Sequence, residues 1–313
     1  MGMHNKYFSI AVILIFLLTS EAAAEVVSSR YFHTGDGKIR LKNARTGSTF
    51  SGKYRLQDGK FCGEASKKIH EIFTASPGQP LAEISQRLIE FLDFLQDRFA
   101  PNAMISIVSG YRSPRYNTGL RNQGRLAAKA SLHQFGMAAD IEISGVPSKI
   151  VWEYVRDLGF GGAGYYQGRN LHVDVGPARF WDEKTSGVGS GKSDDNKLMG
   201  IVSDLDIYKP GEPLRLRFIR MTAFPISASV EFSLEQKEKT GEFKKIISFI
   251  PSWNKKFEGQ CISMSKVEDT LQLKWQLPAK IKEGRYRISA SFCKNPYEDM
   301  PEFVHTPEFE VVR

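Results

Sequence analysis

Residues 131–140 read SLHQFGMAAD, and residues 171–174 read LHVD. His133, Asp140 and His172 supply two imidazoles and one carboxylate. That set can hold a zinc ion and leave a fourth position open for water. An open position marks a catalytic rather than a structural metal. The chemistry it implies is water activation, since bound zinc brings the pKa of its water down to about 7. Gly136, Ala138 and Ala139 lie between the first two ligands and let the chain turn tightly into a strand, AADIEI. Alternation along that strand puts Asp140 and Glu142 on one face. His172 and Asp174 share a face of a second short strand in the same way, so that a ligand sits beside an acid that can assist it.

A His-x6-Asp pair carries little by itself. The surrounding pattern carries more: Ser131-x-His133-x-x-Gly136-x-Ala138-x-Asp140, with SGYRSPRYN before it and GFGGAGYY and HVDVGPARFW after it. The first motif is similar to the metal motif of zinc D-alanyl-D-alanine peptidases, of the lysostaphin, D-Ala-D-Ala peptidase and hedgehog fold group. Ser109 to Pro114 with Asn117, the GGAGYY turn and the stretch His172 to Trp181 resemble the murein endopeptidase branch, which cuts peptide cross-links in bacterial walls. The resemblance covers roughly Tyr31 to Trp181.

The resemblance implies zinc ligands at His133, Asp140 and His172. It implies an arginine at Arg112 that steadies substrate or the oxyanion without touching the metal, and a serine at Ser131 beside the substrate's amino group. Many relatives carry an acid three residues before the last histidine, as general base. Here that position is Arg169, which cannot accept a proton. Asp174 is then the nearest candidate for the proton carrier. Its other reading is a carboxylate that orients His172 from behind.

The elements that must position these residues are legible in outline. Residues 34–61 alternate between Gly turns and strand-like runs, and are expected to form a hairpin lying over the catalytic sheet. Glu64 to Phe73 reads as a helix. Leu81, Ile84, Leu88, Phe91, Leu92, Leu95 and Phe99 form a stripe at helical spacing between Pro80 and Pro101. Met104 to Val108 is a short apolar strand. Tyr116 to Lys129 is helical or looped, and Pro147 to Leu158 is an amphipathic helix. The fold class is therefore α+β, a zinc peptidase domain over 25–184 with helices on a small, mainly antiparallel sheet. Residues 185–200, rich in Gly and Ser, read as a linker. Residues 201–313 alternate in short strands between turns and read as an all-β sandwich, immunoglobulin- or fibronectin-like. All three expected ligands precede the linker, so a piece ending near Thr185 is expected to keep the chemistry. The sandwich is left to dock wall or a protein partner.

Composition limits the setting. Of 313 residues, 1–24 carry Lys6, an apolar run from Phe8 to Leu18 and Ala22-Ala23-Ala24. This reads as a secretory signal peptide, too short in its apolar run to span a membrane comfortably. A periplasmic or secreted protein without stable membrane insertion is expected. The net charge is +8, with 24 Lys+Arg against 18 Asp+Glu over 25–200. A basic exported protein suits an anionic polymer such as peptidoglycan, and export argues against nucleic acid. Cys261 and Cys293 could pair, which would leave Cys62 over. His33, His70 and His305 lack ligand partners. The expected activity is hydrolysis of peptide cross-links in peptidoglycan, acting on its peptide stems with Zn2+. The alternatives are a D-alanyl-D-alanine carboxypeptidase on the same scaffold and a non-catalytic zinc-binding wall scaffold.

Overall fold

The computed structural model describes residues 29–74, 83–124, 127–168, 170–184, 195–253, 255–266, 269, 273–294 and 296–313. The expected signal peptide, Arg169, Pro80 and Leu81, and most of the expected linker lie outside them. The described residues combine four α-helices with three sheets, and strands predominate. No helix among them is long and apolar enough to cross a membrane.

The first sheet holds β1 (Lys38–Asn43), β2 (Thr49–Lys53), β3 (Ile105–Ser109), β4 (Ala138–Ile143), β5 (Gly162–Tyr165), β6 (Leu171–Asp174) and β7 (Arg179–Asp182). Its order is β2-β1-β3-β4-β6-β5-β7. The pairings β1–β3 and β5–β7 are parallel and the other four are antiparallel. The hairpin β1–β2 does not lie over this sheet, as its turns suggested. It extends the sheet at its edge, because β1 continues the ladder from β3.

Four helices accompany the sheet: α1 (Gly63–Phe73), α2 (Gln86–Phe99), α3 (Pro114–Asn122) and α4 (Ser148–Leu158). Helix α2 starts later than its apolar stripe suggests. Ile84 is buried ahead of the helix, and the Ser85 backbone N–H donates to the Gly136 carbonyl at 2.9 Å instead of entering a helical turn. Both faces of α2 are buried. Its polar residues Arg87, Glu90, Asp93 and Gln96 recur at i, i+3 and each meets a partner. The Tyr54 hydroxyl donates to Glu90 at 2.9 Å and to Asp93 at 2.7 Å, and the Gln96 amide donates to the Ala103 carbonyl at 2.7 Å.

Ten further strands follow: β8 (Gly200–Ser203), β9 (Ile207–Tyr208), β10 (Pro213–Ile219), β11 (Ile226–Lys237), β12 (Phe243–Phe249), β13 (Cys261–Met264), β14 (Leu273–Gln276), β15 (Gly284–Lys294), β16 (Phe303–His305) and β17 (Phe309–Val311). They form a sheet β14-β10-β8 and a larger one, β12-β11-β15-β17-β9, with β13 on β11 and β16 on β15. Alternating apolar residues from both, among them Leu214, Leu216 and Phe218 from β10 and Val230, Phe232 and Leu234 from β11, make one core. A disulfide joins Cys261 to Cys293.

The two cores meet. Val202 and Ile219 belong to the first, and Phe135 packs against both. Arg87 on α2 pairs with Asp206 at 2.7 Å, both side chains buried, and donates to the Ser203 carbonyl at 3.0 Å. Arg30 donates to Glu212 at 2.9 Å. A piece ending near Thr185 would open this boundary to water. That tells against the expectation that the first part acts by itself.

Candidate metal centre

The sheet register places the site. Asp140 on β4 lies opposite His172 on β6, and on its other side opposite Ser109 on β3. His172 in turn lies opposite Gly164 on β5, which lies opposite Trp181 on β7. Ser109, Asp140, His172, Gly164 and Trp181 thus form one row across five strands. His133 comes from a short 3-10 turn, Leu132–Phe135, which ends at Gly136 in the left-handed conformation with φ 64°. A Cβ at Gly136 would also strike the Glu83 carbonyl oxygen. Glycine is the residue that tolerates both constraints.

The three donor atoms form a nearly equilateral triangle. His133 Nε2 is 3.2 Å from His172 Nδ1, which is 3.1 Å from Asp140 Oδ1, and Asp140 Oδ1 is 3.4 Å from His133 Nε2. Ligand bonds of about 2.0–2.1 Å in tetrahedral geometry put donor atoms about 3.3 Å apart. The hydrogen bonds behind the rings fix which nitrogens face inward. His133 Nδ1 lies 2.7 Å from the Gly110 carbonyl, which can only accept, so the proton sits on Nδ1 and the Nε2 lone pair points to the triangle. His172 Nε2 donates to Asp174 Oδ2 at 2.9 Å, which leaves the Nδ1 lone pair inward. Two ring nitrogens and a carboxylate oxygen converge on one point. Such a set repels itself unless a cation sits at its centre, so the donor set fits a metal ion.

Electrostatics agree with that reading at His133 and Asp140, while at His172 burial is outweighed by hydrogen bonds to Asp140 and Asp174, which raise the imidazole, so a metal ion there would replace a proton. Burial, with Arg112 adding to it, pushes the His133 imidazole down to about 4 against the pull of Asp140. The ring is neutral at neutral pH, as a ligand must be. Burial alone would raise the Asp140 carboxyl, but His133, His172 and Arg112 outweigh it and hold the group well below its ordinary value. The row is walled by Trp181, whose ring centroid is 5.1 Å from that of His172. A Cβ at Gly164 would come within 2.5 Å of the Trp181 ring, so the glycine leaves room for the indole.

Two residues along the same strands lies a second row: Ala138, Asp174, Gly162 and Arg179. Asp174 is completely buried and both its oxygens are engaged. Oδ2 takes His172 and Arg179, and Oδ1 accepts from the Gly176 N–H at 3.0 Å. It sits behind His172, away from the triangle. Arg112 turns Nε to the Ser109 hydroxyl at 2.9 Å and Nη2 to Asp140 Oδ2 at 2.7 Å. It touches a proposed ligand directly, where the resemblance implied a side chain concerned with substrate or the oxyanion. Ser131 is buried at the start of the 3-10 turn, two residues before His133. Tyr166, whose hydroxyl donates to Asp140 Oδ1 at 3.4 Å, is raised by burial and by Asp140, so it remains a proton donor. Its place in the GGAGYY stretch was the available signal. Arg179 and Trp181 stood in the quoted motif without a role. Ser109, Gly162 and Gly164 gain theirs only from the sheet register.

The family described as "Peptidoglycan L,D-endopeptidase MepK" matches residues 33–181. A probable peptidoglycan L,D-endopeptidase MepK of Haemophilus influenzae is 34% identical over 145 residues, 46% of this chain and 77% of that protein. The peptidoglycan L,D-endopeptidase MepK of Escherichia coli K12 is 32% identical over 145 residues, 46% of this chain and 79% of that protein. Among solved structures, the sporulation control protein Spo0M of Bacillus subtilis overlaps at a TM-score of 0.26 and 11% identity, covering 36% of this chain and 48% of its own, and carries no weight here. The matched region contains every residue of the triangle, and the chain belongs to the MepK family of peptidoglycan L,D-endopeptidases.

Proposed function

We propose that this protein is an exported zinc metallopeptidase that hydrolyses peptide cross-links of peptidoglycan, with the metal held by His133, Asp140 and His172. The observation that carries the reading is the convergence of two imidazole nitrogens and a carboxylate oxygen at 3.1–3.4 Å, on residues of the two quoted motifs. The relatives' descriptions make an L,D peptide linkage the first bond to test. The basic charge of the chain suits an anionic wall polymer, and the apolar run over Phe8 to Leu18 supports export to the periplasm or beyond.

Bound zinc would supply Lewis acidity at the scissile carbonyl and activation of water. This chain's residues prepare that chemistry. Gly110 and Asp174 fix the two rings from behind, so each presents one defined nitrogen. Arg112 clamps the outer oxygen of Asp140 and keeps its inner oxygen on the triangle. Tyr166 offers a hydroxyl beside Asp140, a donor placed to meet negative charge developing on a substrate oxygen. Asp174 acts through His172 instead of carrying the proton, because both its oxygens are already engaged.

Purified sacculi digested with this protein should release fragments whose masses correspond to cut cross-links, and a chelator should stop the release. Loss of single terminal alanines instead would favour the carboxypeptidase, and intact sacculi would favour the scaffold. Arg112→Lys keeps the charge but cannot reach Ser109 and Asp140 together. We expect it to weaken zinc binding by roughly 10-fold, the lower end of the effect of removing a group that orients a ligand, and to slow turnover as well. Full zinc affinity in Arg112→Lys, measured by chelator competition, would remove the clamp from the account.

A further inference from the structure

Arg220 follows the last residue of β10, outside the matched region 33–181. It is buried, and it holds the left-handed conformation at φ 60°, unusual for a side chain other than glycine. Its Nε and Nη2 meet no hydrogen-bond partner among the described residues. A buried guanidinium with unmet donors is a poor choice for packing, since an apolar side chain of similar volume often serves as well or better. Its charge must therefore be used.

The group it faces is Asp174. A Cβ at Gly176 would lie 2.6 Å from Leu132 Cδ1, 3.2 Å from Asp174 Oδ1 and 3.7 Å from Arg220 Nη2, so both charged groups border the space that this glycine leaves open, and they act on each other by charge without a direct bond. Burial and Arg179 push the Arg220 guanidinium down to about 10, and Asp174 opposes them, so the cation persists at neutral pH. Asp174 is thus flanked by half-buried Arg179 from its own sheet and buried Arg220 from the other. The relatives align over 145 residues that make up 77–79% of their length, so they are far shorter than this chain.

We propose that Arg220 is a positioning residue for the metal centre, reaching from the C-terminal sheets to hold Asp174 and, through it, His172. The inference rests on the metal-site reading above. It gives the C-terminal sheets a part in building the site, besides any docking to wall.

The test uses the full chain with Arg220→Met, Arg220→Lys, Asp174→Asn and the pair Arg220→Met/Asp174→Asn. Zinc affinity is measured by chelator competition, the thermal midpoint on metal-free protein, and kcat and KM on a cross-linked muropeptide. Arg220→Met should weaken zinc binding about 10-fold and lower kcat with KM unchanged, because Arg220 never meets substrate. Its metal-free midpoint should be unchanged or raised, and Arg220→Lys should recover most of the affinity. In the Asp174→Asn background the same substitution should cost nothing further, since the residue it acts through is gone. Parent zinc affinity in Arg220→Met, or an equal loss with and without Asp174, overturns the proposal. If Arg220→Met does not fold, Arg220→Gln, which stays polar but carries no charge, decides: an affinity loss that depends on Asp174 supports positioning, and a lowered metal-free midpoint with parent affinity makes Arg220 a structural cation only. A parent chain that takes up no zinc equivalent sinks the metal site itself, whereas a zinc-binding parent with an indifferent Arg220→Met sinks only this inference.

Discussion

His133→Ala is expected to take the protein from one bound zinc to none, and to bring cross-link cleavage down toward the uncatalysed rate, which enzymes typically exceed by about 10⁶-fold or more. The triangle has three corners, and two donors on adjacent strands do not close a tetrahedral site. The fold should survive. His133 sits on a short 3-10 turn whose apolar neighbours Leu132 and Met137 remain in the first core, its side chain bonds to backbone at the Gly110 carbonyl, and its own backbone ties to Arg112 and Gly136 survive the substitution. Metal analysis of the purified variant and fragment masses from cross-linked muropeptides read the two effects separately. A His133→Ala protein that still holds a full zinc equivalent would mean that the ligands lie elsewhere.

The largest stability effect is expected at Asp206. Its carboxylate meets Arg87 at 2.7 Å with both side chains buried, and it accepts the Phe32 backbone N–H at 3.2 Å. Asp206→Ala leaves the Arg87 charge in place without its counterion. Breaking a buried pair in this way costs about 3–5 kcal/mol, a large share of the roughly 5–15 kcal/mol that holds a typical folded protein together. Exposed pairs such as Lys38–Asp36 should matter far less, because water screens them. Urea unfolding of the full chain at neutral pH should show the midpoint falling sharply for Asp206→Ala and scarcely moving for Asp36→Ala. If both variants unfold with the parent, the Arg87–Asp206 contact does not hold the two cores together.

The convergence of His133, Asp140 and His172 was legible in the sequence because they sit in two dense local motifs, and local spacing on short strands translates directly into faces. The helix at Glu64–Phe73 and the alternating strands after residue 200 were legible for the same reason. Helix α2 was only half legible. Its apolar stripe gave its existence, but nothing in the stripe placed its polar residues. They are buried because their partners Tyr54, Arg55 and Asp206 arrive from other elements, which no helical period can announce. Gly162 and Gly164 looked like a flexible turn. They are strand residues whose missing side chains admit Asp174 with Arg179, and Trp181. Arg220 had no local signal, since its meaning depends on a sheet boundary formed by residues far apart in the chain.

The row running across β3, β4, β6, β5 and β7 makes the centre a gauge of strand alignment. Side chains alternate along a strand, so a slip of β4 against β6 by one residue would carry Asp140 to the opposite face while His172 stayed behind. No partial site survives such an error. A chain that captures the ion has therefore already paired its central strands correctly, and ion capture then makes that pairing harder to undo, because the bound state is drained from the equilibrium with misaligned forms. Metal content in a freshly folded preparation would thus count correctly aligned molecules, a proofreading mark written by the ion itself.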